Sequence, residues 1–308
     1  MAGLKQIKSQ IRSIKKTGKV TRAMESVSAA KMRKAQQTAI GGRAYARAAV
    51  AVLARVSGSR TIHNHPLTRQ TEGVRKTLYI VITSDKGLAG ALNSAVLRAA
   101  LGDITLHNLP QADVSVIAVG RKANDFFTSR GYAVRAFHPN SDISSAFIRQ
   151  LVEEAAQHFI ARQVDQVKIV YQNFVSTFEQ RPTLRTIFPL TLGELERVVE
   201  DIAPMRGMHA HLRKEGPPGG AVAAYTIEPD EEHVLEGILP LLAGIFVYHA
   251  LLESLASEHS ARMVAMKSAS DKAEELEYDF TLRFNKARQA AITREVSEIT
   301  GGMEAMAS

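Results

Sequence analysis

Ser84-Asp85-Lys86-Gly87-Leu88-Ala89-Gly90 is the stretch of the sequence best placed to hold a ligand. It follows a continuous apolar run, Leu78–Ile82, and precedes a helix-forming stretch near Ala91–Leu101. An open α/β sheet binds phosphates and nucleotides at such a junction. The order of a P-loop, G-x-x-x-x-G-K-[ST], is absent, and no G-x-G-x-x-G follows any predicted strand. A tight turn into a helix is the simpler reading. Ser13-x-x-Lys16 and Ser28-x-x-Lys31 have the spacing of a serine nucleophile and its lysine. Both lie in a segment dense in Ser and Lys, where chance explains that spacing. His63 and His65 could touch a metal, but no third ligand is evident. The 10 histidines show no zinc spacing, and no Ser-His-Asp constellation is readable. With no cysteine, disulfides, thiolate metal sites and cysteine nucleophiles are excluded. These residues predict no active site, metal or cofactor of the chain's own.

The charge is more telling. The net charge is +8, and among residues 1–60 the only acid is Glu25. Against it stand Lys5, Lys8, Arg12, Lys15, Lys16, Lys19, Arg22, Lys31, Arg33, Lys34, Arg43, Arg47, Arg55 and Arg60. Such a segment is either a solvated helix face or seeks an acidic partner: nucleic acid, anionic lipid or an acidic protein loop. A basic coiled-coil nucleic-acid-binding protein is the second reading, weakened because Tyr45 is the segment's only aromatic for base stacking. No apolar run is long enough to span a bilayer, since Ile238–Leu252 contains Pro240, Gly244 and His249. Residues 1–30 lack the apolar core of a secretory signal. Basic and nearly acid-free, they superficially resemble a mitochondrial transit peptide, but they also carry a coiled-coil seam.

The elements that would position these residues begin at the two ends. Ile245–Thr300 contains neither Gly nor Pro, and about 56 residues of helix would run about 84 Å. Its apolar positions step by three and four through Ile245, Tyr248, Leu252, Leu255, Met266, Ala269, Ala273, Leu276, Phe280, Ala287 and Ala290, interrupted by His259, Arg262 and Arg283. That is a coiled-coil seam. Leu4, Ile7, Ile11 and Ile14 begin a matching seam, predicted to slip across Lys15–Lys19 and to resume at Val20, Met24 and Val27. One helix is expected from about residue 3 to 57, ended by Ser57-Gly58-Ser59. The two terminal helices should pair antiparallel.

Between them the texture is α/β. Strands are expected at Leu78–Ile82, Val114–Val119, Tyr132–Phe137 and Val167–Phe174, with further strands at Arg185–Leu190 and Ala221–Ile227. A helix over Ser141–Arg162 would be capped by Ser141 or Asp142. Residues 204–220 read as a Gly/Pro-rich loop, and Pro240 is expected to kink or restart the C-terminal helix. The fold class is thus α/β: a long antiparallel coiled coil of N- and C-terminal helices plus a Rossmann-like α/β domain. The boundaries fall at 1–58, 76–228 and 230–308.

Several separate segments, in order, carry a resemblance. They are Arg22-Ala23-Met24-Glu25 and Ala30-Lys31-Met32-Arg33-Lys34; Thr83–Asn93; Glu228-Pro229-Asp230; Leu251–Ser254 through Ala256–His259 to Ala261–Lys267; and Asn285–Thr293. The chain resembles the gamma subunits of F-type ATP synthases, the central rotor shafts, nearly end to end. The resemblance implies a shaft inside an alpha3-beta3 ring, an α/β domain against the epsilon subunit and the membrane c-ring, and no bond chemistry in the shaft. It places the catch against the beta subunit at Arg288, Gln289 and Thr293, with Met24 facing the beta lever. Lys31, Arg33 and Lys34 would meet the acidic lever loop. Tyr225 and Glu228 would form the foot on epsilon and the c-ring, and Val296–Ser308 would turn in an apolar sleeve. The implied place is peripheral, on the cytoplasmic face of a bacterial plasma membrane, with an organelle inner or thylakoid membrane as the alternative. Membrane contact would come only through the complex, and no nucleic acid is involved. The chain departs from the family pattern at Ala89, where a cysteine is common, and in the length of the 204–220 loop. Lacking cysteines, it cannot have the thiol control of the chloroplast form.

Overall fold

A computed structural model of the chain describes residues 2–42, 44–45, 48, 62, 65–71, 73–140, 143–191, 193–194 and 230–307. In chain order the elements are α1 (Ala2–Gly41), β1 (Thr77–Ile82), α2 (Leu92–Leu106), β2 (Val114–Val119), α3 (Arg121–Ser129), β3 (Ala133–His138), α4 (Ser145–Ile160), β4 (Gln166–Ser176), β5 (Glu179–Phe188) and α5 (Glu231–Ala307). The chain forms two compact units: Met1–Ser28 with Arg262–Ser308, and Ala29–Ala261.

The first unit is an antiparallel helix pair. Lys15 pairs with Glu277 at 3.2 Å, and Arg22 pairs with Glu274, so ascending positions on α1 meet descending ones on α5. The seam of α1 does not slip. Val20 and Val27 are 51% and 55% exposed, while Thr21 and Ser28 are buried. The inward row therefore runs through Leu4, Ile7, Ile11, Ile14, Gly18, Thr21, Glu25 and Ser28, an unbroken alternation of three and four. Small residues at its centre let the helices approach closely. A methyl group on Gly18 would lie 3.3 Å from the Ala273 Cβ, and Ser270 Oγ donates to the Gly18 carbonyl at 3.4 Å. On α5 the buried position is Ser270, with Ala269 only half-buried.

In the second unit a five-stranded sheet has the order β3-β2-β1-β4-β5. β1 to β4 are parallel, and β5 returns antiparallel to β4. β1 and β2 are buried along their whole length, because helices cover both faces, and a strand covered twice reads as a continuous apolar run. One face packs Leu78, Ile80, Ile82, Ile117, Ile169 and Tyr171 against α4 and the Leu235–Leu251 part of α5. The other packs Tyr79, Val81, Val116 and Ala118 against α2 and α3.

Several expectations change. α1 runs over Ala2–Gly41; past the turn at Gly42 the described residues Ala44, Tyr45 and Ala48 are helical, and the rest of the helix expected to residue 57, with its Ser57-Gly58-Ser59 stop, lies outside the described residues. α5 is longer than the Gly- and Pro-free run: it includes Pro240 and continues through Gly301-Gly302 to Ala307. Pro240 sits on an exposed face, and its neighbours Leu239 and Leu242 are fully buried. That burial holds the helix together against the roughly 3 kcal/mol an internal proline costs. An 18-residue window of this helix reaches a mean hydropathy of 1.8, enough by length and composition to cross a bilayer, but 56% of it is buried against the chain. It is a core helix. The cap of α4 is Ser144, whose Oγ accepts from Phe147 N–H at 3.2 Å; Ser141 and Asp142 lie outside the described residues. β5 starts at Glu179, six residues before the expected Arg185, because it hairpins directly off β4. The expected strand at 221–227 and the 204–220 loop also lie outside the described residues.

Candidate functional site

The turn after β1 is held by hydrogen bonds of its side chains. Ser84 N–H donates to Asn93 Oδ1 at 2.9 Å, and Asn93 Nδ2 donates to Ser84 Oγ at 2.8 Å. Asp85 Oδ1 accepts from Arg121 N–H at 2.9 Å, at the start of α3. Asn140 Nδ2 donates to the Thr83 carbonyl at 2.9 Å. Gly120 has φ +93°, and a Cβ there would sit 2.1 Å from the Thr83 oxygen. Only glycine permits this close crossing of β1 and β2 ends. Ser84 and Asp85, at the start of the glycine-rich stretch, thus tie it to α2 and α3 by hydrogen bonds. Among the described residues no cluster of His, Asp and Glu could hold a metal ion.

The described residues among those singled out by resemblance lie on the two long helices. Arg288, Gln289 and Thr293 lie within two turns of α5, and all three are exposed. Met24 on α1 is half-buried, and Lys31, Arg33 and Lys34 are exposed. Among the described residues no ion pair engages Arg288, Lys31, Arg33 or Lys34, so these cations face outward. Beyond the catch, Ile292, Val296, Ile299 and Met303 are exposed at spacings of four, three and four, an uncovered apolar row at the end of α5. Tyr225 and Glu228 lie outside the described residues. The described surface thus offers cations and an apolar tip to other molecules.

The sequence profile of the family described as ATP synthase matches residues 3–306. The gamma chain of ATP synthase from Heliobacterium modesticaldum is 39% identical, over 99% of this chain and all of its own length. The corresponding chain of Xanthomonas campestris pv. campestris is 38% identical over the same shares.

The chain belongs to the ATP synthase gamma chain family.

Solved structures agree on the fold. A chain of the Euglena gracilis mitochondrial ATP synthase, solved as OSCP/F1/c-ring, gives a TM-score of 0.64 at 21% identity, covering 99% of this chain and 95% of that one. A chain of the Tetrahymena thermophila mitochondrial ATP synthase central stalk and c-ring gives 0.57 at 23% identity, covering 82% and 99%. Within a gamma chain, the polar interruptions of the α5 seam have definite surroundings. His259 and Arg262 are buried, and the Arg283 guanidinium lies 5.4 Å from the Phe280 ring. A buried polar row one turn earlier, His249, Glu253 and Ser257, does not stand out in the sequence. Helical spacing of four is the available signal, but no pattern of residue types distinguishes it from an imperfect seam.

Proposed function

We propose that this gamma chain is the central rotor shaft of an F-type ATP synthase, coupling transmembrane proton flow to ATP synthesis or hydrolysis at the beta subunits while doing no bond chemistry itself. The observation that carries this is the tip of the helix pair. An apolar row at Ile292, Val296, Ile299 and Met303 stands uncovered beside the outward catch of Arg288, Gln289 and Thr293. Exposed apolar surface of this kind marks a protein contact, and a ring enclosing the helix end would cover it. The Tetrahymena and Euglena structures, a central stalk with its c-ring and F1 with its c-ring, support the same placement.

In this reading the alpha3-beta3 ring surrounds the helix pair. Arg288, Gln289 and Thr293 bond beta-subunit loops, each charge-assisted bond contributing roughly 1.5–3 kcal/mol. Met24 faces the beta lever, and Lys31, Arg33 and Lys34 meet its acidic loop. Tyr225 and Glu228 form the foot on the epsilon subunit and the c-ring. The shaft shifts the populations of beta-site conformers by contacting each differently. The complex sits on the cytoplasmic face of a bacterial plasma membrane, which the gamma chain touches only through its partners.

Purification from the source tests membership: alpha and beta subunits should co-elute in threefold excess over this chain, and their absence defeats the reading. Tight binding of nucleic acid at physiological salt would point instead to the basic coiled-coil alternative. Arg288→Ala combined with Gln289→Ala tests the catch. Coupled ATP synthesis should fall while the chain stays folded; unchanged synthesis and assembly would remove the catch assignment.

A further inference from the structure

β4 pairs with β1 only from Gln166 to Val170, yet it pairs with β5 as far as Ser176. Past Val170 no strand among the described residues lies beside its β1-side edge. Backbone groups two residues apart along a strand point to the same edge, so Gln172 and Phe174 face that gap together. Helix α5 fills it with side chains. Ser257 Oγ donates to the Gln172 carbonyl at 3.1 Å, and Phe174 N–H donates to Glu253 Oε2 at 2.8 Å. One residue of a parallel strand makes this pair of bonds in a ladder, accepting from one flanking N–H and donating to the other flanking C=O. Ser260 Oγ extends the row to the Thr177 carbonyl at 2.6 Å, in the hairpin turn itself. Glu253, Ser257 and Ser260 are spaced by four and three, so they share one helix face.

All three are buried, Glu253 to 7% exposure. Among the described residues, burial and the Phe174 N–H bond are what act on the Glu253 carboxyl. His249, one turn earlier on α5, is kept neutral by burial and by repulsion from Arg185, its pKa lowered to about 3. From β4 comes Tyr171, whose hydroxyl burial pushes up. From β5 comes Arg185, whose Nε donates to Tyr171 Oη at 3.3 Å and whose guanidinium lies 3.8 Å from Glu194. On α1, Lys31, Arg33 and Lys34 are exposed. Burial therefore outweighs the single Phe174 N–H bond and raises the Glu253 carboxyl to about 8. At neutral pH the group is an acid, able to accept from Phe174 without an uncompensated buried charge.

We propose that Glu253, Ser257 and Ser260 form a side-chain edge that locks the β4–β5 hairpin onto helix α5, with Glu253 the proton-bearing positioning residue, so that the lock weakens as protons become scarce. The sign follows from linkage. Released to water, the carboxyl titrates at its ordinary 4.5; in the lock it titrates at about 8. The closed state holds the extra proton across that window, so the lock is strongest below 4.5 and loosens up to about 8. The lock stands without the shaft reading. Its consequence for coupling, a hairpin that turns rigidly with the shaft helix, rests on it.

Amide exchange of the segment 172–178, followed by mass spectrometry on the assembled complex and on the full chain alone, tests the lock. After correction for the intrinsic rate, protection should fall by up to roughly tenfold per pH unit between pH 5 and 8, then level off. Glu253→Gln keeps an acceptor for Phe174 but carries no titrating proton, so its protection should be flat with pH. Glu253→Leu should lose protection at every pH. Should that variant not fold, Ser260→Ala must still loosen the turn. A Glu253→Gln profile superposed on the wild type, or protection retained in Ser260→Ala and Glu253→Leu, overturns the proposal. Failure of the chain to assemble with a ring would count against the shaft alone, because exchange on the isolated chain still decides the lock.

Discussion

The helix pair and the α/β unit bury different kinds of residue. The sheet core is built from large side chains, with Tyr79, Phe127, Phe159, Phe188, Ile80 and Leu151 almost fully buried. At 20–33 cal/mol per Å² of apolar surface, such residues stabilise a unit strongly. The centre of the helix pair is built from Gly18, Thr21, Ser28, Ser270 and Ala273, which remove little apolar area from water. Its closeness comes from the absence of side chains. The α/β unit buries large apolar side chains, whereas the pair is built thin and leaves Ile292, Val296, Ile299 and Met303 exposed at its tip.

The largest effect should come from the core. Phe127→Ala should cost about 3–5 kcal/mol, read as a lower denaturant midpoint for the whole sheet. A loss under about 1 kcal/mol would mean that α3 can collapse onto the cavity, and the contrast between the units would shrink. Gly18→Leu comes next. Even a methyl on Gly18 would lie only 3.3 Å from the Ala273 Cβ, so the larger side chain, forced against the partner helix, should cost about 1–3 kcal/mol. It should raise exchange in residues 10–28 and 265–280 while leaving β1 and β2 protected. Unchanged exchange there would show that the seam has room.

The pH response sharpens the comparison further, because two buried titrating groups sit one turn apart in the α/β unit. His249 has its pKa lowered from 6.5 to about 3, so its stabilising contribution is present above 6.5 and is lost as pH falls toward 3. Glu253 runs the other way, from 4.5 up to about 8, with its contribution present below 4.5 and lost as pH rises. Between 4.5 and 6.5 the two slopes cancel. Their joint contribution should be a plateau there, falling on both sides by up to about 1.4 kcal/mol per pH unit. His249→Leu should remove the acid limb and turn the plateau into a continuous decline from 4.5 to about 8, and a stability profile with the acid limb intact would assign it elsewhere. The smallest effect belongs to the exposed Lys15–Glu277 pair: Lys15→Ala should shift stability by less than about 1 kcal/mol. A larger loss would mean that surface ion pairs, rather than close packing, hold the thin helix pair together.

Legibility follows the same division. The sheet strands are readable because burial on both faces leaves continuous apolar runs, as in Leu78–Ile82 and Val114–Val119. Antiparallel pairing of the terminal helices is readable from two seams of one period. The course of the seam is not. Hydrophobic patterning directs attention to Val20 and Val27, whereas the buried positions are Thr21 and Ser28, residues with no apolar signal. Ser144 does not stand out as a cap because neighbouring Ser141 and Asp142 are equally good by type, and only backbone geometry selects among them. Arg288, Gln289 and Thr293 are exposed, and their residue types alone would suggest no more than a solvated face.

By itself, then, the sequence determined the fold class, the pairing of its ends, the lack of a recognisable catalytic motif and the family, since these rest on period, composition and ordered segments. Tertiary structure alone decided that α5 runs through Pro240, because buried Leu239 and Leu242 outweigh a local break. It also decided that Glu253, Ser257 and Ser260 are not flaws in a seam. Their role depends on a strand edge some eighty residues earlier in the chain, and helical periodicity carries no information about a partner so distant.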